Sequence, residues 1–445
     1  MCSIFGDARQ IQSILMLENH LQPRGSQPVE RSADIFTIFL RSYRDMRVDA
    51  EFMVPAYYPH FVCKGGACRH TCCEGLEVNM TEAEYFRLLT LECTPELRRQ
   101  LDAGIRVNGY PDENRYARLL PNFLGTCHLL DAQGLCMLQR ECGADMLTAV
   151  CRYYPRSPQI ADSPACATAN ACEETLELLF AMAERGESWS CLEQELSFDL
   201  PGDRPAGGSQ AEKRTGLRRE LLQVLSDPSE PVQTRLWKLQ ERIRNFSREK
   251  AQGHVPFVPN RSASAWPVSL VALRRFAVWC GGKYPDMKPY MDAVRRLLDA
   301  HPGSNDLDRE VEARLQRLQV QQPTFPLFFS LVLANDFFYR RIPFAAERCS
   351  MEQQAAAFAG MTELLLLMTT AMSGVGKAEH LCAAGSREED NFSAADGTTD
   401  DMAGRDGQSR ILIDGYAAFF RMVELTDFDR NLLASLESGG ADQAG

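Results

Sequence analysis

The chain has 445 residues, of which 45% are apolar, and a formal net charge of −12. That length accommodates two or three domains of about 150 residues each, and the apolar share is enough for a sizeable core. The acidic balance excludes a general nucleic-acid binder, which needs a basic footprint.

Residues 1–52 read as a poorly ordered N-terminal extension, with "LQPRGSQPVERS" a linker by composition and "ADIFTIFLRSYRDMR" at most a short helix. From Met53 to about residue 200 runs a cysteine-rich stretch. Thr81 with Glu84 three residues on is a capping box, so a helix begins there. Thr94, Pro95 and Gly104 are N-cap, first helical residue and stop of a second helix. "RYARLL", residues 115–120, predicts a short strand, and "CHLLDAQGLC" predicts a hairpin-like turn around "DAQG". "EETLELLFAMAERG" is a helix closed by Gly186. The Pro-, Gly- and charge-rich stretch 201–216 marks a boundary. Beyond it, residues 216–445 form a helical domain. Segments 217–227, 232–250, 291–301, 308–320 and 356–372 carry apolar residues at three- and four-residue spacing. Residues 383–410 are acidic and rich in Gly and Ser, the composition of a disordered loop. A last helix pair, 411–424 and 429–437, closes the chain. The fold class expected is mainly α: a cysteine-rich metal-binding N-terminal domain with little β, then an α-helical domain.

Sixteen cysteines are unevenly placed: twelve lie between Cys63 and Cys191, with Cys2, Cys280, Cys349 and Cys382 elsewhere. A disulfide framework and a metal site compete to explain them. The N-terminal residues lack the basic, apolar and small-residue pattern of a signal peptide. The richest apolar stretches, 326–338 and 361–372, are too short to span a bilayer. The expectation is a cytoplasmic protein with no membrane partner, whose thiols stay reduced and serve a metal.

The densest run, "CKGGACRHTCC", gives Cys63, Cys68, Cys72 and Cys73. Cys127, Cys136, Cys151 and Cys172 follow. Thiolate-only sites suit iron–sulfur clusters or zinc. Closed zinc sites usually use C-x2-C pairs, and this chain has none, which favours the cluster. Adjacent side chains diverge, so Cys72 and Cys73 serve different irons or different sites. Cys93, Cys142, Cys166 and Cys191 read as buried small hydrophobes. The radical-type spacing C-x3-C-x2-C fails because Gly75 stands where its third cysteine belongs. No G-x-G-x-x-G follows a strand, and "SGVGKAEH" lacks what a phosphate loop needs.

Three segments, "MVPAYYPHFVCKGGACRHTCCEGLEVNMTEAEY", "CHLLDAQGLCMLQRECGADMLTAVCRYYPR" and "ACEETLELLF", together resemble the flagellin lysine-N-methylase family. That family belongs to a wider group of cysteine-rich, zinc- or iron-chelating proteins. The likeness covers residues 53–185 and extends more loosely through "LANDFFYRRIPF" and "ILIDGYAAFFRMVE". It implies a cytoplasmic enzyme that methylates lysines of flagellin, with S-adenosylmethionine as donor and a 4Fe-4S cluster. Carried onto this sequence, the family cysteines are Cys63, Cys68, Cys72, Cys73, Cys127, Cys136, Cys151 and Cys172. The "YPR" element is Tyr154, Pro155 and Arg156. Leu76 replaces a tryptophan usual in members, Cys142 an aliphatic residue, and 383–410 has no counterpart.

Under that resemblance, Arg156 would hold the donor's carboxylate as a fork-shaped donor. Tyr154, with Tyr153, would pack the adenine or the substrate lysine. Glu74 is a candidate proton acceptor, since a lysine titrating near 10.4 must lose its proton first. His70 and His128 are secondary candidates as metal ligands. The helical half would offer flagellin an acidic docking surface. The competing function is a non-catalytic zinc- or iron-chelating protein for storage, redox or scaffolding.

Overall fold

A computed structural model describes residues 47–199 and 209–441, apart from 77, 113–114, 124, 161–162, 251–268, 345–348, 374–399 and 425. The helix expected over 33–46 lies outside the described residues. From Val48 onward the chain clusters as one unit, so the cysteine-rich and helical stretches share a body.

Strand β1 (Arg47–Pro55) pairs with β5 (Cys191–Asp199) as a two-stranded ribbon. The extension read over 1–52 therefore yields to strand at Arg47. Phe52 and Val54 are buried on β1 and pack with Tyr58, Cys166 and Phe198. The burial of Cys166 matches its reading as a small hydrophobe, whereas Cys191 is exposed and Cys93 and Cys142 are half-buried.

Between those strands sits a small α+β layer. A three-stranded antiparallel sheet has the order β2 (Val78–Met80), β4 (Ala117–Leu119), β3 (Ile105–Val107), with Val78 and Ile105 both opposite Leu119. Helix α1 (Glu82–Leu89) starts on the expected capping box: Thr81 Oγ1 accepts from Glu84 N at 3.2 Å, and Glu84 Oε2 accepts from Thr81 N at 2.8 Å. Helix α2 (Pro95–Gly104) starts on Thr94, whose hydroxyl accepts from Leu97 N at 3.2 Å. Leu97 and Leu101 meet Val78, Met80, Leu119, Leu129 and Met137 in a core of their own. The "DAQG" turn forms as expected, with Asp131 N donating to Leu135 O at 2.9 Å and Gly134 at φ +75°. Short helices α3 (Met137–Cys142) and α4 (Ala149–Tyr153) follow, then α5 (Glu173–Glu184), which ends before Gly186 at φ +70°.

The remainder is helical: α6 (Ser209–Ser226), α7 (Val232–Lys250), α8 (Leu270–Lys283), α9 (Lys288–Ala300), α10 (Ser304–Gln321), α11 (Phe325–Tyr339), α12 (Met351–Ser373), α13 (Asp400–Glu424) and α14 (Phe428–Ala441). On amphipathic α9, Met291, Val294, Leu297 and Leu298 point inward. Helices α11 and α12 are apolar all round, and such helices must be covered on every side. Accordingly α11 packs against α5 and α6, and α12 against α7, α9 and α14. The apolar run read as too short to span a bilayer lies within α12, which is long and apolar enough by length and composition. Its most apolar window is 89% buried inside the protein. Residues 400–410, within the stretch read as an acidic loop, are helical and open α13; the rest of that stretch, 383–399, lies outside the described residues.

A buried polar network fastens the thiol-bearing segment to α11. Tyr57 donates to Asn335 Oδ1 at 2.7 Å, Asn335 Nδ2 donates to Thr168 O at 2.9 Å and Asn170 Oδ1 at 2.7 Å, and Asn170 Nδ2 donates to Val332 O at 2.9 Å. Paired polar groups are tolerated in an interior where unpaired ones are costly.

Candidate metal centre

The segment 63–73 is a loop with one 3-10 turn at Gly65–Ala67, where Gly65 takes φ +58°, a conformation only glycine adopts without strain. Two anchors hold it. Glu173, 1% exposed at the first position of α5, accepts Arg69 N at 3.1 Å and His70 N at 3.4 Å. Lys64 reaches the same helix, 3.4 Å from Glu173 and 3.5 Å from Glu174. At the far end, Cys73 O accepts Cys127 N at 2.9 Å, which ties the loop to the "DAQG" turn.

Electrostatic influence links the eight cysteines along these segments. Burial raises Cys127, Cys136 and Cys151, and in each the charge of Cys73 raises the thiol further; Cys127 and Cys151 are pushed up to about 12. Burial likewise raises Cys68, to about 12, and Cys172, and both also feel Cys63. Cys72 is raised chiefly because its thiol donates to Cys73, which lowers Cys73, and it feels Cys63 and Cys151 as well. Cys73 thus influences Cys127, Cys136 and Cys151, and Cys63 influences Cys68 and Cys172, with Cys72 bridging the two groups through Cys73, Cys151 and Cys63. Cys63 and Cys72 are exposed, whereas Cys73, Cys127, Cys136 and Cys151 are half-buried. Among the described residues, no three Cys, His, Asp or Glu side chains converge tightly enough to hold a metal ion. All fourteen described cysteines are free thiols.

The other expected residues divide. Tyr154 lies in the thiol neighbourhood: burial raises its phenol well above the usual value, and the charges of Glu424, Tyr339, Cys72 and Cys172 add to that. Arg156 packs against aromatic rings, its guanidinium 4.8 Å from the Phe61 ring centre and 6.0 Å from that of Tyr58. Tyr153 accepts Asp199 N at 2.7 Å and stacks edge-on with Phe198 at 5.2 Å, a packing role. Glu74 is exposed, with its backbone paired to Thr126. His128 packs where a Gly104 side chain would fall, and His70 contributes backbone groups to Glu173 and Arg421.

The helical half supplies groups that no motif announced. Arg421 of α13 donates to His70 O, and Arg69 Nη2 lies 2.8 Å from Asp414. Glu424, at the end of α13, accepts Ala171 N at 3.4 Å through Oε1, beside Cys172. Asp336 and Arg340 at the end of α11 pair at 3.4 Å, and Arg340 also reaches Asp429. The only sequence signal was that these residues fall in the two C-terminal segments that carry the looser resemblance.

No family model matches the sequence. A 104-residue stretch is 31% identical to "Lysine-N-methylase" of Salmonella choleraesuis, and one of the same length is 30% identical to the protein of that name in Salmonella typhimurium; each covers 23% of this chain and 25% of the relative. A 111-residue stretch is 29% identical to "Flagellar biosynthetic protein FliU" of Salmonella muenchen, over 23% of this chain and 60% of that protein. The chain therefore spans a quarter of the length of the lysine-N-methylases it matches. No solved structure matches.

Proposed function

We propose that this protein is an S-adenosylmethionine-dependent protein-lysine N-methyltransferase acting on flagellin, with an iron–sulfur cluster held by the clustered cysteines. The observation that carries the reading is a run of eight free thiols that influence one another electrostatically, in a chain locally similar to proteins named for lysine methylation and flagellar biosynthesis.

The donor set fits a cluster better than a lone zinc. Four thiolates around one zinc, at about 2.3 Å each, crowd within about 4 Å of one another. A cluster places each thiolate on a different iron and spreads them wider. The raised thiols also fit, because a cationic centre reverses the penalty on adjacent thiolates and binds them deprotonated. When bound, a cluster ligated by four thiolates would hold the loops together; orienting the sulfonium donor would take an iron left without a cysteine ligand. The protein's own part is to present the lysine, remove its proton and align nitrogen with the methyl carbon.

Mass spectrometry of flagellin after incubation with the anoxically purified protein and S-adenosylmethionine tests this directly. Methyl groups on lysines are the expected product, lost with Cys68→Ala. No mass gain with iron-loaded native protein overturns the reading.

A further inference from the structure

Two cysteines outside the eight are set opposite each other by a run of crossing contacts. Residues 84–94, from α1 to the start of α2, lie antiparallel to residues 141–149, from the end of α3 to the start of α4. Glu84 Oε1 accepts Ala149 N at 2.6 Å. Arg87 donates to Leu147 O at 3.1 Å and to Asp145 O at 3.3 Å. Thr94 Oγ1 donates to Glu141 Oε2 at 2.8 Å. As one stretch advances from 84 to 94, its partner retreats from 149 to 141. One step back from the Thr94–Glu141 bond, this register faces Cys93 with Cys142.

The side chains agree with that register. Both cysteines are half-buried and pack against the core that holds Leu97 and Leu101. Burial raises the Cys142 thiol, and the charge of Cys93 raises it further, with Glu141 adding to that. Arg98 Nη2 donates to Cys93 Sγ at 3.8 Å, and it is fixed there by bonds to Leu88 O and Leu91 O at 2.9 Å each. A guanidinium beside a sulfur steadies the charge that sulfur carries as it attacks. Cys93 is therefore the attacking thiol and Cys142 the resolving one.

We propose that Cys93 and Cys142 are a peroxide-responsive pair that closes into a reversible disulfide. The pair lies outside the eight thiols and stands apart from the methyltransferase reading. The Cys93 sulfur attacks one oxygen of hydrogen peroxide. The S–O bond forms as the O–O bond breaks, and the other oxygen takes the thiol proton and leaves as water. The Cys142 sulfur then attacks the sulfenic sulfur. The S–S bond forms, the S–O bond breaks, and the departing hydroxide takes the second thiol proton to leave as water. Two thiols give up two electrons and the peroxide gains them. A small dithiol reverses the bond by exchange. A disulfide spans Cα atoms up to about 7 Å apart, so the bridge forms only where this register holds. Once closed, it encircles Cys127 and Cys136 and staples the segment that carries them to α1 and α2.

Peptide mapping of the full-length protein tests the proposal. Protein purified without oxygen is treated with hydrogen peroxide, blocked with N-ethylmaleimide and digested with trypsin. The expected product joins peptides 88–98 and 141–152, two hydrogens lighter than the pair, with fragment ions placing the bridge on Cys142 rather than Cys151. Alkylation of Cys93 should fall about tenfold in the same sample and return after dithiothreitol. Cys142→Ser is expected to leave a sulfenic acid on Cys93 that dimedone traps. Cys73→Ser, which removes one of the eight thiols, should form the link as native protein does. The proposal is overturned if both cysteines of peroxide-treated native protein stay alkylated, or if Cys93 links to a different cysteine. Loss of the link in Cys73→Ser, or no dimedone adduct on Cys93 in Cys142→Ser, overturns it equally.

Discussion

Glu173 is the carboxylate on which the geometry of the first thiol loop depends. It is 1% exposed and accepts the backbone N–H groups of Arg69 and His70, with Lys64 at 3.4 Å. Hydrogen bonds to a charged group contribute about 1.5–3 kcal/mol each, and unpairing a buried ionic group costs about 3–5 kcal/mol. In Glu173→Ala, Lys64 keeps Glu174, and Arg69 keeps Glu177 at 3.1 Å and Asp414 at 2.8 Å, so the low end, about 3 kcal/mol, applies. That is about a hundredfold rise in the opening of the loop. Hydrogen exchange read by mass spectrometry on peptides spanning 63–73 should show it, with α2 peptides as the internal reference. Glu173→Gln, which keeps the shape and one acceptor, should give about a tenfold rise, one step of 1.4 kcal/mol. Unchanged exchange over 63–73 in Glu173→Ala, or an equal rise in α2, refutes the claim that this carboxylate fixes the loop.

Three further outcomes follow from named contacts. A side chain on Gly104 would meet Leu119 Cδ1 at 2.8 Å and His128 Cβ at 3.0 Å, so Gly104→Ala should lower stability by about 1–3 kcal/mol, measured by urea unfolding. Asn335→Ala removes the Asn335 acceptor of the Tyr57 hydroxyl, which keeps its bonds to Thr168, and breaks the tie from Asn335 to Thr168 and Asn170, which should cost about 1–3 kcal/mol in the same assay. Glu424 is raised to about 8 and Asp336 to about 6, chiefly by burial. The folded state keeps protons that the unfolded chain releases, so these groups withdraw stability as pH climbs from their ordinary values through 8. Glu424→Gln lacks that titration, and its melting temperature relative to native protein should rise between pH 6 and pH 9; a constant difference would contradict the burial of this carboxylate.

What the sequence made legible was local. Thr81 with Glu84, and Thr94 with Pro95, start helices through contacts within four residues, and both caps form as spacing predicts. The "DAQG" turn and the stop before Gly186 are equally short-range. The pairing of β1 with β5 was illegible because most of the cysteine-rich stretch separates the strands. Residues 400–410 read as a loop by composition, yet they open a helix whose later turns, with Tyr416, Phe419 and Phe420, are anchored in the core. The cysteines could be picked out by type and spacing, but which of them influence one another depends on which segments Glu173 and Cys73 draw together. Arg156 matched a motif and packs against Phe61, whereas Glu424 matched none and accepts Ala171 N, the residue before Cys172.

Iron and acid-labile sulfide per chain, determined on anoxically purified full-length protein beside its visible absorption spectrum, is the most direct test of the central claim. Stoichiometric iron and sulfide, with a broad band that fades in both Cys73→Ser and Cys63→Ser, is the result predicted. Zinc alone, or a colourless chain with neither iron nor sulfide, would contradict it.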